Sequence, residues 1–323
     1  MMKRRDFITL LGGVAAAWPL AARAQQEEKV RRIGVLAGTI EPTWLAALRD
    51  GLAKLGWIEG HNLRIDLRFT LGDPARMRAD AVELVSLAPD VIVTTNRPGT
   101  AAVQEQTKTI PIVFTAGGDP VSNGLVQNIA RPEGNTTGFT NTVDSISGKW
   151  LELLKEAAPH ITRAALVFNP RTVNAAYFHS IESAALQLGV QAVNTPVRDS
   201  LELVRAIDAF AAEPNGGLLI VAVLPGDSYQ ILHRMAAQHR LPAIHSNRGR
   251  VADGGLMTYA TDFLDIERRV AAYVDRLLRG AKISELPVQF PTKFNLVINL
   301  KAAKAIGLAI PPTLIARADE VIE

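Results

Sequence analysis

The feature that most limits what this chain can become is a strand–helix rhythm that runs twice. It opens with Arg32-Ile33-Gly34-Val35-Leu36-Ala37, a short apolar run ending in small residues. Such a run predicts a strand buried on both faces of a parallel sheet. Leu45, Leu48, Leu52 and Leu55 follow at helical spacing, and Gly56 sits where a helix stops. Asn62 to Thr70 alternates like a half-exposed strand. Asp73-Pro74 supplies a cap and first turn for a second helix, whose face carries Met77, Ala81, Leu84, Val85 and Ala88. Val91 to Thr95 predicts a strand, about Gly99 to Lys108 a third helix, and Ile110 to Phe114 another strand. The order βαβαβαβ is that of a doubly wound parallel sheet.

The rhythm then restarts. Ala164 to Phe168, Val190 to Val197, Leu218 to Val223 and Leu241 to His245 predict strands. Ala175 to Leu188, Ser200 to Ala212 and Asp227 to His239 predict the helices between them. Pro111 and Pro242 are 131 residues apart, and so are Gly124 and Gly255. A fixed offset is what two copies of one plan would leave. From Asp262 a long amphipathic helix carries Ile266, Val270, Tyr273 and Leu277 on one face and stops at Gly280. A strand-like Phe294 to Leu300 and a short helix, Lys301 to Ile306, follow it. The expected fold is α/β, two similar doubly wound parallel-sheet lobes joined by a hinge of several crossings. The expected bounds are 30–142 plus 262–283 for the first lobe and 143–261 plus 284–323 for the second.

The segment before this rhythm reads as an address. The apolar run from Phe7 to Trp18 is twelve residues long, broken by Gly12 and Gly13 and ended by Pro19. Spanning a bilayer takes roughly 20 apolar residues. Lys3, Arg4 and Arg5 precede the run, and Ala22-Arg23-Ala24 follows it as a cleavage triplet. That is the layout of a bacterial export signal at 1–24. Arg4-Arg5-Asp6-Phe7-Ile8 is similar to the twin-arginine export motif. No Cys follows the triplet, so a freely diffusing periplasmic protein without a lipid anchor is expected.

Charge and cysteine usage narrow the chemistry. Of 35 basic and 32 acidic residues, four basic and one acidic fall within 1–24, leaving 31 of each. The net charge of +3 therefore belongs to the address, and nucleic acid is not an expected partner. With no cysteine, thiol catalysis and Cys-ligated metal sites are ruled out. There is no G-x-S-x-G elbow, P-loop, H-E-x-x-H or G-x-G-x-x-G after the first strand. No cofactor, metal or catalytic residue is assigned.

In open parallel sheets, ligands sit outside the carboxyl ends of the strands. The loops there hold Thr39 and Glu41; Asn96, Gly99, Thr100 and Ala101; Asp119; Asn169; Asp227; Asn247 and Arg248. The Gly99 to Ala101 turn has the form of a helix start that holds an anion such as a carboxylate; the alternative is a tight turn. Asp119 is placed to pair with a ligand ammonium, or else closes its own Asp-Pro turn. Asp262 is a second such carboxylate, or only a cap. Arg248 has the form to clamp a carboxylate, or is a solvated loop arginine. Trp44 and Tyr229 each open a helix beside a loop, to stack on a ligand or to pack in the core. His245 ends a strand near these loops and reads as a strand-end residue. If it worked with Asp119, the cleft would be that of a hydrolase.

The tail Phe290-Pro291-Thr292-Lys293-Phe294-Asn295-Leu296-Val297-Ile298-Asn299-Leu300-Lys301-Ala302-Ala303-Lys304-Ala305-Ile306-Gly307-Leu308, with Ile310 to Ile322 after it, closely resembles the ABC-transporter substrate-binding family that includes tryptophan-binding lipoproteins. Ile110 to Phe114, Asp119-Pro120-Val121, Gly124-Leu125-Val126 and Ala130 to Gly138 resemble it too, so the likeness runs from about Arg31 to Glu323. It implies a type I periplasmic-binding fold and a small solute, an amino acid or aromatic compound, held between lobes. It also implies delivery to permease subunits in the inner membrane, by a monomer. Many relatives carry a lipoprotein Cys that this chain lacks. A sensor handing its solute to a membrane receptor has the same sequence requirements. A DNA-binding repressor of this fold would need a helix-turn-helix where the export segment stands.

Overall fold

The computed structural model describes residues 30–38, 42–143, 145–170, 173, 176–221, 224 and 227–323. The export segment, Thr39 and Glu41 lie outside these residues. The first sheet has five strands: β1 (Arg31–Ala37), β2 (Leu63–Phe69), β3 (Val91–Thr94), β4 (Ile112–Ala116) and β5 (Thr136–Thr140). They lie in the order β2-β1-β3-β4-β5, every pair parallel. Strands β3, β4 and β5 are buried along their whole length, as their unbroken apolar or small residues require. Gly138 in β5 is needed for close approach: a Cβ there would lie 2.2 Å from the Phe114 carbonyl oxygen.

The second sheet repeats that topology and extends it. Its strands are β6 (Arg163–Phe168), β7 (Gln191–Pro196), β8 (Gly216–Ile220), β9 (Ala243–His245), β10 (Met257–Thr261), β11 (Phe294–Asn299) and β12 (Glu320–Ile322). The order is β7-β6-β8-β9-β10-β11-β12, whose first five places match the first sheet. Only the pairing of β10 with β11 is antiparallel among the described pairs. Two doubly wound sheets are therefore present, the second longer and mixed.

The helices, in chain order, are α1 (Pro42–Lys54), α2 (Pro74–Ser86), α3 (Arg97–Gln106), α4 (Ile146–Ala157), α5 (Ala176–Leu188), α6 (Ser200–Ala211), α7 (Ser228–Gln238), α8 (Gly249–Ala252), α9 (Phe263–Leu278), α10 (Leu300–Ala305) and α11 (Pro312–Ile315). Three differences from the sequence reading have physical causes. Helix α3 begins two residues before Gly99, because Asn96 is its cap and Pro98 fits its first turn. Helix α4 was not anticipated, although Ile146, Trp150, Leu153, Leu154 and Ala157 are buried at helical spacing. The offset of 131 holds for β4 and β9, but Gly255 leads directly into β10 whereas Gly124 lies twelve residues before β5. Only the first of the two spacing matches joins equivalent positions.

Two helices cross between the sheets. Helix α9 follows β10 in the chain yet packs on α1, where Ile266, Val270 and Val274 share one apolar cluster with Ile33, Leu48 and Leu52. Gly51 permits the approach: a Cβ there would lie 2.7 Å from that of Ala271. The Trp57 indole N–H donates to Asp275 at 2.8 Å and closes the far end. Helix α4 makes the opposite exchange. It follows β5 but packs with Ile181, Leu166 and Leu296 of the second body, and the Trp150 indole N–H donates to the Tyr259 carbonyl at 2.6 Å.

Candidate functional site

Three chain crossings join the sheets: 141–145 after β5, 261–262 after β10, and 290–293 before β11. The first two leave from carboxyl ends of parallel strands. The third enters β11, which runs antiparallel to β10, so it meets the sheet at that same end. All three therefore lie at the carboxyl ends, and the loops there from both sheets flank one cleft. The crossings are tied together. The Thr261 hydroxyl donates to the Asn141 carbonyl at 3.0 Å, and the Asp262 N–H donates to the Lys293 carbonyl at 3.0 Å. Asp265 pairs with Lys293 at 3.0 Å and with Arg269 at 3.8 Å, and Arg269 also holds the Gln289 side chain. Sequence reading missed this hinge clasp; the spacing of Asp265 and Arg269, one turn apart, was its only signal.

On the first sheet's side, Asn96 caps α3 and accepts the Gly99 N–H at 2.7 Å. Gly38 packs against the Asn96 amide so closely that a Cβ there would lie 2.2 Å from Nδ2. Thr100 is fully buried, its hydroxyl 2.8 Å from that of Thr94 and donating to the Asn96 carbonyl at 2.8 Å. Ala101 is exposed one position on. Thus the Gly99 N–H and the Thr100 hydroxyl serve the helix start itself. Asp119 is exposed and accepts the Ser122 N–H at 2.6 Å. That bond holds its carboxyl below the usual carboxylate range. Trp44 is partly buried against the cluster under α1 and α9. Asp262 caps α9, accepting the Asp265 N–H at 3.1 Å.

On the second sheet's side, Asn169 follows β6, and its carbonyl accepts the Val173 N–H. Asp227 accepts the Ser200 hydroxyl at 2.6 Å. Tyr229 is buried; its hydroxyl accepts the Leu224 N–H at 3.1 Å, and the Arg250 guanidinium lies 3.9 Å over its ring. One ring face of Tyr229 is therefore covered by protein. Asn247 accepts the Gly249 N–H at 2.8 Å, and Arg248 pairs with Glu320 of β12. His245 is buried beneath Gly255 and faces His233, not Asp119, which bonds its own turn on the other sheet.

The described candidates lie at or beside the carboxyl ends of strands in the two sheets, and many of them are engaged locally. A surface cavity of about 640 Å³, lined by Lys108, Pro111, Arg131, Asn135 and Lys282 among others, lies at the amino ends of β4 and β5, away from the crossings. It is not part of this cleft. Among the described residues no group of three or more His, Asp or Glu is arranged to hold a metal ion. No described helix is long and apolar enough to cross a membrane.

Comparison with known proteins agrees with this geometry. The chain is 27% identical over 292 residues to the tyrosine-binding protein of Clostridioides difficile (strain R20291), covering 87% of this chain and 82% of that one. It matches a conserved domain protein from Vibrio cholerae at a TM-score of 0.75 and 30% identity, over 91% of this chain and all of that one. It shares its fold with a ligand-free, open substrate-binding protein from Clostridium difficile (TM-score 0.77, 24% identity, 91% and 99% covered). It also shares it with a domain from Streptococcus pneumonia in complex with L-Trp (TM-score 0.75, 22% identity, 90% and 99% covered). The model of the family described as "ABC transporter substrate binding protein" matches residues 43–322, and with two doubly wound sheets meeting at a three-strand hinge, this chain belongs to that family.

Proposed function

We propose that this protein captures an aromatic amino acid between its lobes and closes on it before delivery to the permease. The carrying observation is that all three crossings meet at the carboxyl ends of the strands, so that loops of both lobes border one cleft. The tyrosine-binding relative and the L-Trp complex of a structural neighbour supply the ligand class. The lobes are 30–142 plus 262–289 and 143–261 plus 290–323; the break falls after the expected 283 because Leu286 and Val288 pack with the first sheet. Export through the twin-arginine route, with cleavage after Ala24, places a monomer in the periplasm.

Closure requires a ligand that touches both lobes, because only differential contact shifts the population. Asn96, Asp119 and Trp44 form the first lobe's rim; Thr39 and Glu41, outside the described residues, are assigned to the ligand on the sequence alone. Asn169, Asp227, Asn247 and Arg248 form the second, and Asp262 stands at the hinge. Asp119, charged at neutral pH, receives the ligand ammonium. Gly99, Thr100, Ala101 and Tyr229 shape the rim from behind.

The test is thermal unfolding of the chain from Gln25 onward against tyrosine, tryptophan, phenylalanine, aliphatic amino acids, sugars and purines. A ligand at 100 times its Kd stabilises by about 2.7 kcal/mol. The expected result is a shift with aromatic amino acids that leaves the compound intact. A shift confined to sugars or purines would overturn the ligand class, and consumption of the compound would favour the hydrolase reading.

A further inference from the structure

The second lobe contains a cluster that ligand capture does not use. His245 ends β9 and is 1% exposed, and neither ring nitrogen has a hydrogen-bond partner among the described residues. The ring of His233, on α7, stands 5.0 Å away at 82° to it. His233 Nδ1 lies 3.2 Å from the Asp253 carbonyl, while its Nε2 is buried and unpartnered among the described residues. Between the two rings and α10 lies a cavity of about 60 Å³. Its walls are Ala236, Ala237, Gly254, Gly255, Ala302 and Ala305, among others. Glycine is required in its floor. A Cβ on Gly255 would sit 2.7 Å from His245 Nε2, and Gly254 has φ +110°.

The hydrogen-bond inventory decides what fits. A carbonyl only accepts, so His233 Nδ1 carries the proton and Nε2 presents a bare lone pair that needs a donor. Burial, with His233 and Arg250 nearby, keeps His245 neutral. A neutral imidazole has one N–H and one lone pair, so His245 needs both an acceptor and a donor. A metal ion accepts no hydrogen bond. A halide donates none. An apolar occupant would leave three buried nitrogens without partners, which is unfavourable for each. The partner must donate and accept, and it must fit about 60 Å³, room for about two waters at roughly 30 Å³ each.

We propose that the His233–His245 cavity is a hydration site that holds ordered water, which donates to His233 Nε2 and bonds the His245 ring. This water is part of the second lobe's structure and buttresses β9 directly beneath the Ser246 to Arg248 loop of the cleft rim.

A crystal structure of the whole mature chain at high resolution tests it, with an anomalous data set and a parallel titration with Zn²⁺ and Ni²⁺. The expected density lies about 2.7–3.2 Å from His233 Nε2 and from a His245 ring nitrogen, scatters without anomalous signal and survives EDTA. The metals should raise the melting temperature no more than they do for His233→Ala. An empty cavity would overturn the proposal. So would density about 2.0–2.1 Å from both rings with an anomalous signal, or a metal-dependent shift abolished in His233→Ala. If His233→Ala does not fold, the crystal arm alone decides.

Discussion

Asp119 is a turn residue whose fold-making bond also keeps it ready for a ligand. The Ser122 N–H that closes the turn holds its carboxyl down, so the charge is present at neutral pH and the side chain remains exposed. Asp119→Asn keeps the turn's acceptor and loses the charge. Charge-assisted hydrogen bonds contribute about 1.5–3 kcal/mol, so the Kd for an aromatic amino acid should rise by about 10- to 100-fold. The melting temperature of the free protein should stay nearly unchanged, and titration calorimetry of the variant reads the effect. An unaltered Kd would remove Asp119 from the site. Thr100 and Tyr229 show why residue roles were harder to read than the loops that hold them. The sequence put both beside strand-end loops, and they lie in the first turns of α3 and α7, but whether Thr100 turns to Thr94 and Tyr229 lies under Arg250 depends on contacts made across elements.

At the level of elements, two buried groups set opposite slopes on stability. Burial lifts the Glu267 carboxyl of α9 from 4.5 to about 8, and its Oε2 has no partner among the described residues. The folded state keeps a proton there that the unfolded chain loses above about 4.5. Stability from this group is therefore full below pH 4.5 and falls as pH rises to 8. His245 in β9 is pushed from 6.5 to about 3 by burial, with His233 and Arg250 adding to it; Lys301 and Lys304 of the nearby α10 are exposed. Its contribution is full above pH 6.5 and is lost as pH falls to 3. Urea titrations over a pH series should show a plateau between 4.5 and 6.5 with a decline on either side. Glu267→Gln should remove the alkaline decline and gain about 3 kcal/mol at pH 7, from about 1.4 kcal/mol per pKa unit. A decline unchanged in this variant would exclude Glu267 as its source. The elements themselves were largely legible, because β1, β3 and β4 are continuous apolar runs and α9 has a strong single face. Helix α4 was passed over despite its spacing, and β5, a Thr-Thr-Gly-Phe-Thr stretch, has too few apolar residues to stand out.

Over the whole molecule, α9 and the β11–β12 tail make each lobe depend on chain from beyond the other. A fragment of residues 30–142 lacks α9 and leaves the face of Leu48 and Leu52 bare. The same fragment joined by a flexible linker to 262–289 regains that cover. Cooperative thermal unfolding is expected for the joined form and not for the bare one; cooperative melting of the bare fragment would refute the proposed lobe bounds. This dependence also sets a timetable for biosynthesis. The first lobe cannot close its core until the ribosome has released Val288, and the second waits for β12 at Glu320–Ile322. No early fragment of the chain is finished, so folding is delayed until translation is nearly complete. A ribosome that stalls midway yields two unfinished cores, a target for proteases and chaperones, and a machinery that exports only folded cargo would thereby select for full-length chains.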